Sequence, residues 1–365
     1  MALSAASRLK EVFSKVLAGE RIGPQEGLLL LKEAPLNALG FLANEVRKRL
    51  HPDGVVTFVV DRNVNYTNVC TTACKFCAFF VPYSRKEEGY LLTEEELLEK
   101  VRELVEWGGT TLLMQGGMRP DVGLDYFVKL FRAVKKHFPQ VQVHSLSAPE
   151  VVYLARKEGL SVEEVLRVLK EAGLDSLPGG GAEVLSDRVR EKVSPAKCSV
   201  DEWLRVHETA HRLGMPTTAT MMFGHLETDE DIVEHLERIR ELQDRTGGFT
   251  AFIPWTFVPG NTQLDHLKKS PPTRYLKVLA LSRVYLDNFK NVQSSHVTQT
   301  MKVGVVGLHY GANDLGSVMI EENVVSATSH KVRIPKVEDM VREIKKAGFK
   351  PAQRDTYYRI VRKFF

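Results

Sequence analysis

Short β-rich runs alternate with amphipathic stretches on a period of about thirty to forty residues along most of this 365-residue chain, a rhythm that predicts a parallel sheet with crossover helices. The predicted strands are Val55 to Val60, Thr110 to Gln115, Val141 to Ser145, Leu174 to Leu177, Pro216 to Met222, Phe249 to Pro254 and Val292 to His296, with an eighth run at Leu315 to Ile320. The predicted helices are Thr93 to Trp107, Leu124 to Phe138, Ser161 to Ala172, Val200 to Leu213, Thr228 to Arg245 and Thr273 to Asn288. Thr93 followed by Glu96 forms a capping box, and Gly173 and Gly214 fall just past helix ends, as start and stop signals should. The expected architecture is α/β: a TIM-like (β/α)8 barrel with an N-terminal helical extension and a C-terminal helical tail, the alternative being a doubly wound open sheet. The expected units are 1–54 for the extension, 55–330 for the barrel and 331–365 for the tail, whose helix is predicted at Pro335 to Ala347.

Polar and glycine-rich strings follow the strands. Gln115-Gly116-Gly117, Ser145-Leu146-Ser147, Gly179-Gly180-Gly181-Ala182-Glu183, Gly224-His225 and Trp255-Thr256 all fall at the carboxyl ends of predicted strands, the face on which barrel active sites are built. One mouth would collect them. Arg354 and Asp355 in the tail either cover that mouth or solvate a terminal helix.

Composition adds boundaries. With 43% hydrophobic and 26% charged residues and a net charge of +4, the chain reads as a globular protein with neither a membrane span nor a basic nucleic-acid surface. Neither membrane nor nucleic acid is expected as a partner, and the expected compartment is the cytoplasm, no secretory leader being evident.

Three of the four cysteines lie within eight residues, Cys70-Thr71-Thr72-Ala73-Cys74-Lys75-Phe76-Cys77. CxxxCxxC spacing offers three thiolates to three irons of a 4Fe-4S cluster and leaves the fourth iron open, whereas an electron carrier supplies a thiolate to each iron. Structural zinc would need a fourth ligand at short spacing, and three close cysteines cannot pair evenly as disulfides. Cys198 stands apart and reads as a small buried residue. An open iron at a barrel mouth suits the amino and carboxylate groups of S-adenosylmethionine, whose reductive cleavage gives a 5′-deoxyadenosyl radical.

His207-Glu208-Thr209-Ala210-His211 matches the HExxH zinc pattern. The third histidine of the longer signature would fall at 217, which is Thr217. The segment reads instead as an outer barrel helix made amphipathic by Trp203, Leu204, Val206, Ala210 and Leu213, with the histidines flanking its buried stripe.

With an aromatic residue, Phe76, before its last cysteine, the motif resembles that of the radical S-adenosylmethionine superfamily. From about Thr57 to Val325 the chain is further similar to the radical enzymes of the futalosine route to menaquinone. That likeness is carried by Asn65-Tyr66-Thr67-Asn68-Val69-Cys70, Leu113-Met114-Gln115-Gly116-Gly117, Leu174 through Glu183, Thr217 through His225, Gly247 through Phe257 and Gly311 through Ser317. Two departures stand out: Phe79-Phe80-Val81-Pro82 replaces an expected Phe-Tyr-Arg, and His296 stands where the cyclases of this route carry Trp.

The resemblance implies that Cys70, Cys74 and Cys77 hold the cluster, and that Phe76, Gln115, Gly116, Gly117, Ser147 and Glu183 bind S-adenosylmethionine, Glu183 at the ribose hydroxyls. Arg188 and Arg190 are offered as partners of the methionyl carboxylate, but the favoured reading of both is a solvated helix face. The implied substrate is dehypoxanthinylfutalosine, with His144, Trp255 and Arg283 as candidates to bind it and His225 and His296 as candidate catalytic residues. The implied chemistry is abstraction of the ribose C4′ hydrogen, attack of that radical on the aromatic ring, and loss of an electron and a proton. Flavodoxin or ferredoxin would be the electron donor. Rivals are an aminofutalosine synthase, a deazaflavin-cofactor synthase and, outside enzymes, an iron–sulfur electron carrier.

Overall fold

The structure, a computed structural model, describes residues 5–365. Three helices, α1 (Ala5–Ala18), α2 (Pro24–Glu33) and α3 (Leu36–Leu50), precede β1 (Val55–Val59), β2 (Asp61–Asn65) and the short β3 (Val69–Cys70) and β4 (Val81–Pro82). There follow α4 (Glu94–Glu106), β5 (Thr111–Gln115), α5 (Leu124–His137), β6 (Gln142–Ser145), α6 (Ala148–Glu158), α7 (Val162–Ala172), α8 (Asp187–Val193), α9 (Val200–Arg212), β7 (Thr217–Phe223), α10 (Asp229–Thr246) and β8 (Phe249–Thr256). The last elements are α11 (Pro272–Tyr285), β9 (Asn291–Val292), α12 (Met301–Gly307), β10 (Asp314–Ser317), α13 (Val337–Lys346), β11 (Lys350–Arg354) and β12 (Ile360–Lys363). Among the described residues, no helix is long and apolar enough to cross a membrane.

Parallel pairing dominates. One sheet runs β2-β5-β6, another β7-β8-β9, and a third β10-β1-β11-β12, in which only β12 is antiparallel. Single parallel bridges at His144–Ser176, Leu177–Thr217 and Gln293–Asp314 lie between these sheets. The predicted strand at Leu174 to Leu177 therefore survives as two bridging residues, and the one at Val292 to His296 as the two-residue β9. The first is shortened at its start, where Asp175 Oδ2 takes the Val143 N–H, and the second stops where the Tyr275 hydroxyl oxygen accepts from Ser295 N–H.

The helices form for the anticipated reasons. Thr93 and Glu96 cap α4 reciprocally, and Gly173, at φ 116°, takes the left-handed position that ends α7. Along β1 and β2 the pattern has period two: Val56, Phe58, Val60 and Val64 are buried in the core, while Val59, Asp61, Asn63 and Asn65 line an inner cavity. Burying each such apolar side chain contributes about 1.5–3 kcal/mol.

The tail corrects an expectation. It holds one helix, α13, and then strands rather than helix throughout, because β11 pairs with the whole of β1, Val55 with Lys350 through Val59 with Arg354. This brings Arg354, Thr356 and Tyr358 to the same cavity.

Candidate active site

A cavity of about 410 Å3 lies among the inward-facing strand residues, within the size range of small-molecule sites. Its wall carries Phe76, Gln115, Gly116, Ser147, Glu183, His144, Trp255 and His296, eight residues singled out in the sequence. Gly117, His225, Arg283 and the three cysteines Cys70, Cys74 and Cys77 are not on that wall, and Phe76 is the residue of the cysteine loop that reaches it.

The cysteine loop leaves the end of β2 through β3. Cys70, Cys74 and Cys77 are all free thiols. The Thr72 hydroxyl lies 2.9 Å from Cys70 Sγ and 3.6 Å from Cys74 Sγ, and Met118 N–H donates to Cys70 Sγ at 3.4 Å. Burial pushes the Cys74 and Cys77 thiols up, while Lys197 near Cys74 and the N–H groups of Phe79 and Phe80 near Cys77 pull down. These are thiols that need a cationic partner to ionise, and hydrogen-bond donors already face the sulfurs, so the set fits an iron–sulfur cluster. Gly117 closes the loop from beneath: a Cβ there would lie 2.1 Å from Val69 O. Its role is this close approach.

Glu183 adopts φ 44° and is buried, with Lys197 Nζ 2.8 Å from Oε1. Burial alone would raise its carboxyl, but Lys197 and Arg190 outweigh that and hold it below the ordinary value. Lys197 also stands 5.1 Å from the Phe76 ring centroid, which joins the cysteine loop to the Glu183 turn. Glu150 is buried and saturated: Oε1 accepts from Tyr66 O–H and Gly116 N–H, Oε2 from Ser147 N–H and Oγ–H. Sequence reading missed Glu150, although Ser147-x-x-Glu150 is itself a capping box.

At the other end of the cavity, Arg354 reaches Asp314 through Nε at 2.5 Å and Nη2 at 3.2 Å, both side chains being buried. Asp61 Oδ1 accepts from the Ser317 hydroxyl and, at 3.2 Å, from Met319 N–H. Burial lifts this carboxyl to about 6. His296 Nε2 lies 2.9 Å from the Ser317 carbonyl, which fixes the proton on Nε2 and leaves Nδ1 an acceptor. His144 Nδ1 is 2.5 Å from Ser176 Oγ, and burial, with Arg354, pushes its pKa down to about 3.

Four candidates are held by the protein's own groups. His225 Nε2 donates to Met222 O and its Nδ1 accepts from Leu226 N–H, so the ring locks its own turn. Arg283 is fully buried and donates to Gly311 O, Phe289 O, Lys290 O and Asn313 Oδ1, tying α11 to the loops beside β9 and β10. Arg190 binds the carbonyls of Gly181, Ala182 and Cys198, while Arg188 pairs with Asp231. Cys198 is buried, as expected.

In the HExxH segment, His207 Nδ1 and His211 Nε2 both meet the Thr217 hydroxyl, at 2.9 and 2.8 Å, and His211 Nδ1 meets Thr246. Both rings brace α9 against β7. Among the described residues no three His, Cys, Asp or Glu side chains are grouped to hold one metal ion. This bears on zinc; the thiolates of a cubane sit on separate irons.

Parallel strands that set a three-thiol loop, through its Phe76, beside a cavity holding a buried carboxylate are the arrangement of a radical S-adenosylmethionine protein. The Radical SAM superfamily model matches residues 64–239 and the CofH/MqnC C-terminal region model residues 246–364. The chain belongs to the radical SAM family that carries this C-terminal region. It is 46% identical to a cyclic dehypoxanthine futalosine synthase of Streptomyces coelicolor, over 96% of this chain and 88% of the relative. It is 42% identical to a 5-amino-6-(D-ribitylamino)uracil–L-tyrosine 4-hydroxyphenyl transferase of Archaeoglobus fulgidus, over 88% and 92%, and 40% identical to an aminodeoxyfutalosine synthase of Thermus thermophilus, over 97% and 96%. Among solved structures, a methylornithine synthase is similar at TM-score 0.73 and 19% identity, covering 93% of this chain and 97% of that one, which speaks to the fold. Members of the superfamily use a 4Fe-4S cluster and S-adenosylmethionine.

Proposed function

We propose that the protein is a radical S-adenosylmethionine enzyme that cyclises dehypoxanthinylfutalosine in menaquinone biosynthesis. The near-full-length identity of 46% to a cyclic dehypoxanthine futalosine synthase carries the reading. The cavity beside the cysteine loop supports catalysis over electron carriage, since a carrier has no use for a mostly apolar chamber carrying a few buried ionisable groups.

Cys70, Cys74 and Cys77 would hold the cluster, with the fourth iron open for the methionyl group near Gln115 and Gly116. When bound, cluster and S-adenosylmethionine supply the 5′-deoxyadenosyl radical. Glu183, kept ionised by Lys197, accepts from the ribose hydroxyls. Phe76 and Ser147 complete that wall, and Gly117 supports the loop from outside the cavity. Trp255 offers a face to the benzoate ring, and His144, held neutral, a hydrogen-bonding edge. Holding C4′ against the ring is the main service of the walls, because ring closure is an intramolecular encounter.

We read the three sheets as the arcs of one (β/α)8 barrel: the bridges at His144–Ser176, Leu177–Thr217 and Gln293–Asp314 join them in turn, and β1 runs on into β2. The units would be 1–54, 55–330 and 331–365, the last contributing the cavity floor. A flavodoxin or ferredoxin would supply electrons, and the cytoplasm suits an oxygen-sensitive cluster.

The test is anaerobic reconstitution with iron and sulfide, followed by separate incubations with dehypoxanthinylfutalosine and with 5-amino-6-(D-ribitylamino)uracil plus tyrosine. The expected outcome is a product lighter than dehypoxanthinylfutalosine by two hydrogens, and no transfer product from tyrosine. The reverse pattern would assign the transferase activity instead.

A further inference from the structure

Ring closure leaves a hydrogen on the aryl carbon that has joined C4′. Aromaticity returns only when that C–H bond breaks, the proton passing to a base and the unpaired electron to a one-electron acceptor of the iron–sulfur or flavin class. The substrate thus loses two hydrogens, one as an atom to the deoxyadenosyl radical and one as proton plus electron. Which group receives the proton rests on the cyclase reading above, and the cavity wall narrows the choice.

Most ionisable groups on that wall are engaged. Glu150 has four donors on its two oxygens. Glu183 is paired with Lys197. Glu322 accepts from Val325 N–H, Ser326 N–H and the Ser326 hydroxyl. Arg354 is a cation bound to Asp314, and His144 resists protonation down to about 3. Burial raises Tyr358, so it stays a neutral phenol. Two acceptors remain, Asp61 Oδ2 and His296 Nδ1, and among the described residues neither atom has a hydrogen-bond partner.

We propose that Asp61 is the catalytic base, its Oδ2 receiving the ring proton. The donors that other residues supply, Ser317 O–H and Met319 N–H, both fall on Oδ1, which fixes the carboxylate plane and leaves Oδ2 to the cavity. Asp61 pairs with Thr111 while Asn65 pairs with Gln115, so the strand rise sets it about 13 Å below the Gln115 rung. The base then lies beneath a substrate, away from the sulfonium end. Its raised carboxyl, near 6, keeps the conjugate acid accessible, whereas burial lowers His296. His296, donating to the Ser317 carbonyl, is a positioning residue for the group that holds Oδ1.

The test compares reconstituted full-length wild type, Asp61→Asn, Asp61→Glu and His296→Gln, measuring cyclised product per 5′-deoxyadenosine formed. Asn retains an Oδ1 for Ser317 and Met319, so the fold is kept. In Asp61→Asn, 5′-deoxyadenosine should still form while product per deoxyadenosine falls about a hundredfold, the usual worth of a general base. Asp61→Glu should recover part of the coupling and His296→Gln should keep most of it. Coupled turnover in Asp61→Asn, loss of its 5′-deoxyadenosine, or uncoupling confined to His296→Gln would each overturn the proposal. A wild type that forms 5′-deoxyadenosine without cyclised product would sink the cyclase reading beneath it.

Discussion

The two ends of the cavity are built on opposite principles. At the cysteine end the charged groups are spent inside the protein: Glu150 has a donor for each lone pair it presents, Glu183 is bound to Lys197, and Met118 N–H already faces Cys70 Sγ. At the floor, Asp61 Oδ2, His296 Nδ1 and the side chain of Asn63 have no hydrogen-bond partner among the described residues, and the Tyr358 hydroxyl is buried without one. Unspent polar groups in a buried site cost stability unless a ligand meets them. On the proposed reading, the saturated end is preorganised for the cofactor and the unsaturated end is left for the substrate. Strain is shared by both: Glu183, Met319 and Tyr358, three of the seven non-glycine residues with positive φ among the described residues, line this cavity, where strain of about 1–3 kcal/mol per residue is tolerated for function.

The contrast can be broken in several ways. The largest effect is expected from Cys74→Ala, which should abolish 5′-deoxyadenosine formation while circular dichroism shows an intact fold; retained turnover would refute the cluster assignment. Next is Arg354→Met. It strands buried Asp314, and although Thr57 O–H and Gly316 N–H still reach that carboxylate, loss of the cation should lower unfolding free energy by about 3 kcal/mol in a denaturant titration. Glu183→Gln should raise the KM for S-adenosylmethionine about tenfold and leave product per deoxyadenosine unchanged, the inverse of Asp61→Asn.

Acid should separate the ends without mutation. Asp61, at about 6, faces Arg354 with its partner Asp314, and His296 and Tyr358 line the same chamber. Glu183 is held below its ordinary value. Going from about pH 7.5 to about pH 5.5 protonates most of Asp61 and leaves Glu183 ionised, so coupling should fall before deoxyadenosine formation does. A parallel decline of both would deny the contrast. The smallest effect belongs to His211→Gln, which should leave activity unchanged and insensitive to zinc chelation.

How far the sequence could be read follows the same division. The cysteine loop and the strings ending in Gln115-Gly116-Gly117 and Glu183 are local, so spacing revealed them. Asp61, Asn63 and Asn65 alternate as inward strand residues, but the apolar run that marks a strand in the sequence ends at Val60, so their polarity hides β2. Arg354, Thr356 and Tyr358 reach the floor because β11 pairs with β1, a contact between residues about three hundred positions apart that no local pattern encodes. Arg283, on α11, and His225, at the end of β7, show a different limit: a polar side chain is equally suited to satisfying buried backbone groups, and only its hydrogen-bond partners tell the two uses apart.

The most direct measurement uses dehypoxanthinylfutalosine carrying deuterium at C4′. With the reconstituted enzyme, the account requires that deuterium appear in 5′-deoxyadenosine and that the cyclised product have lost it. Unlabelled deoxyadenosine with unchanged substrate would mean that the radical made at the cysteine end never reaches C4′, and the two-ended cavity would not be the site of this reaction.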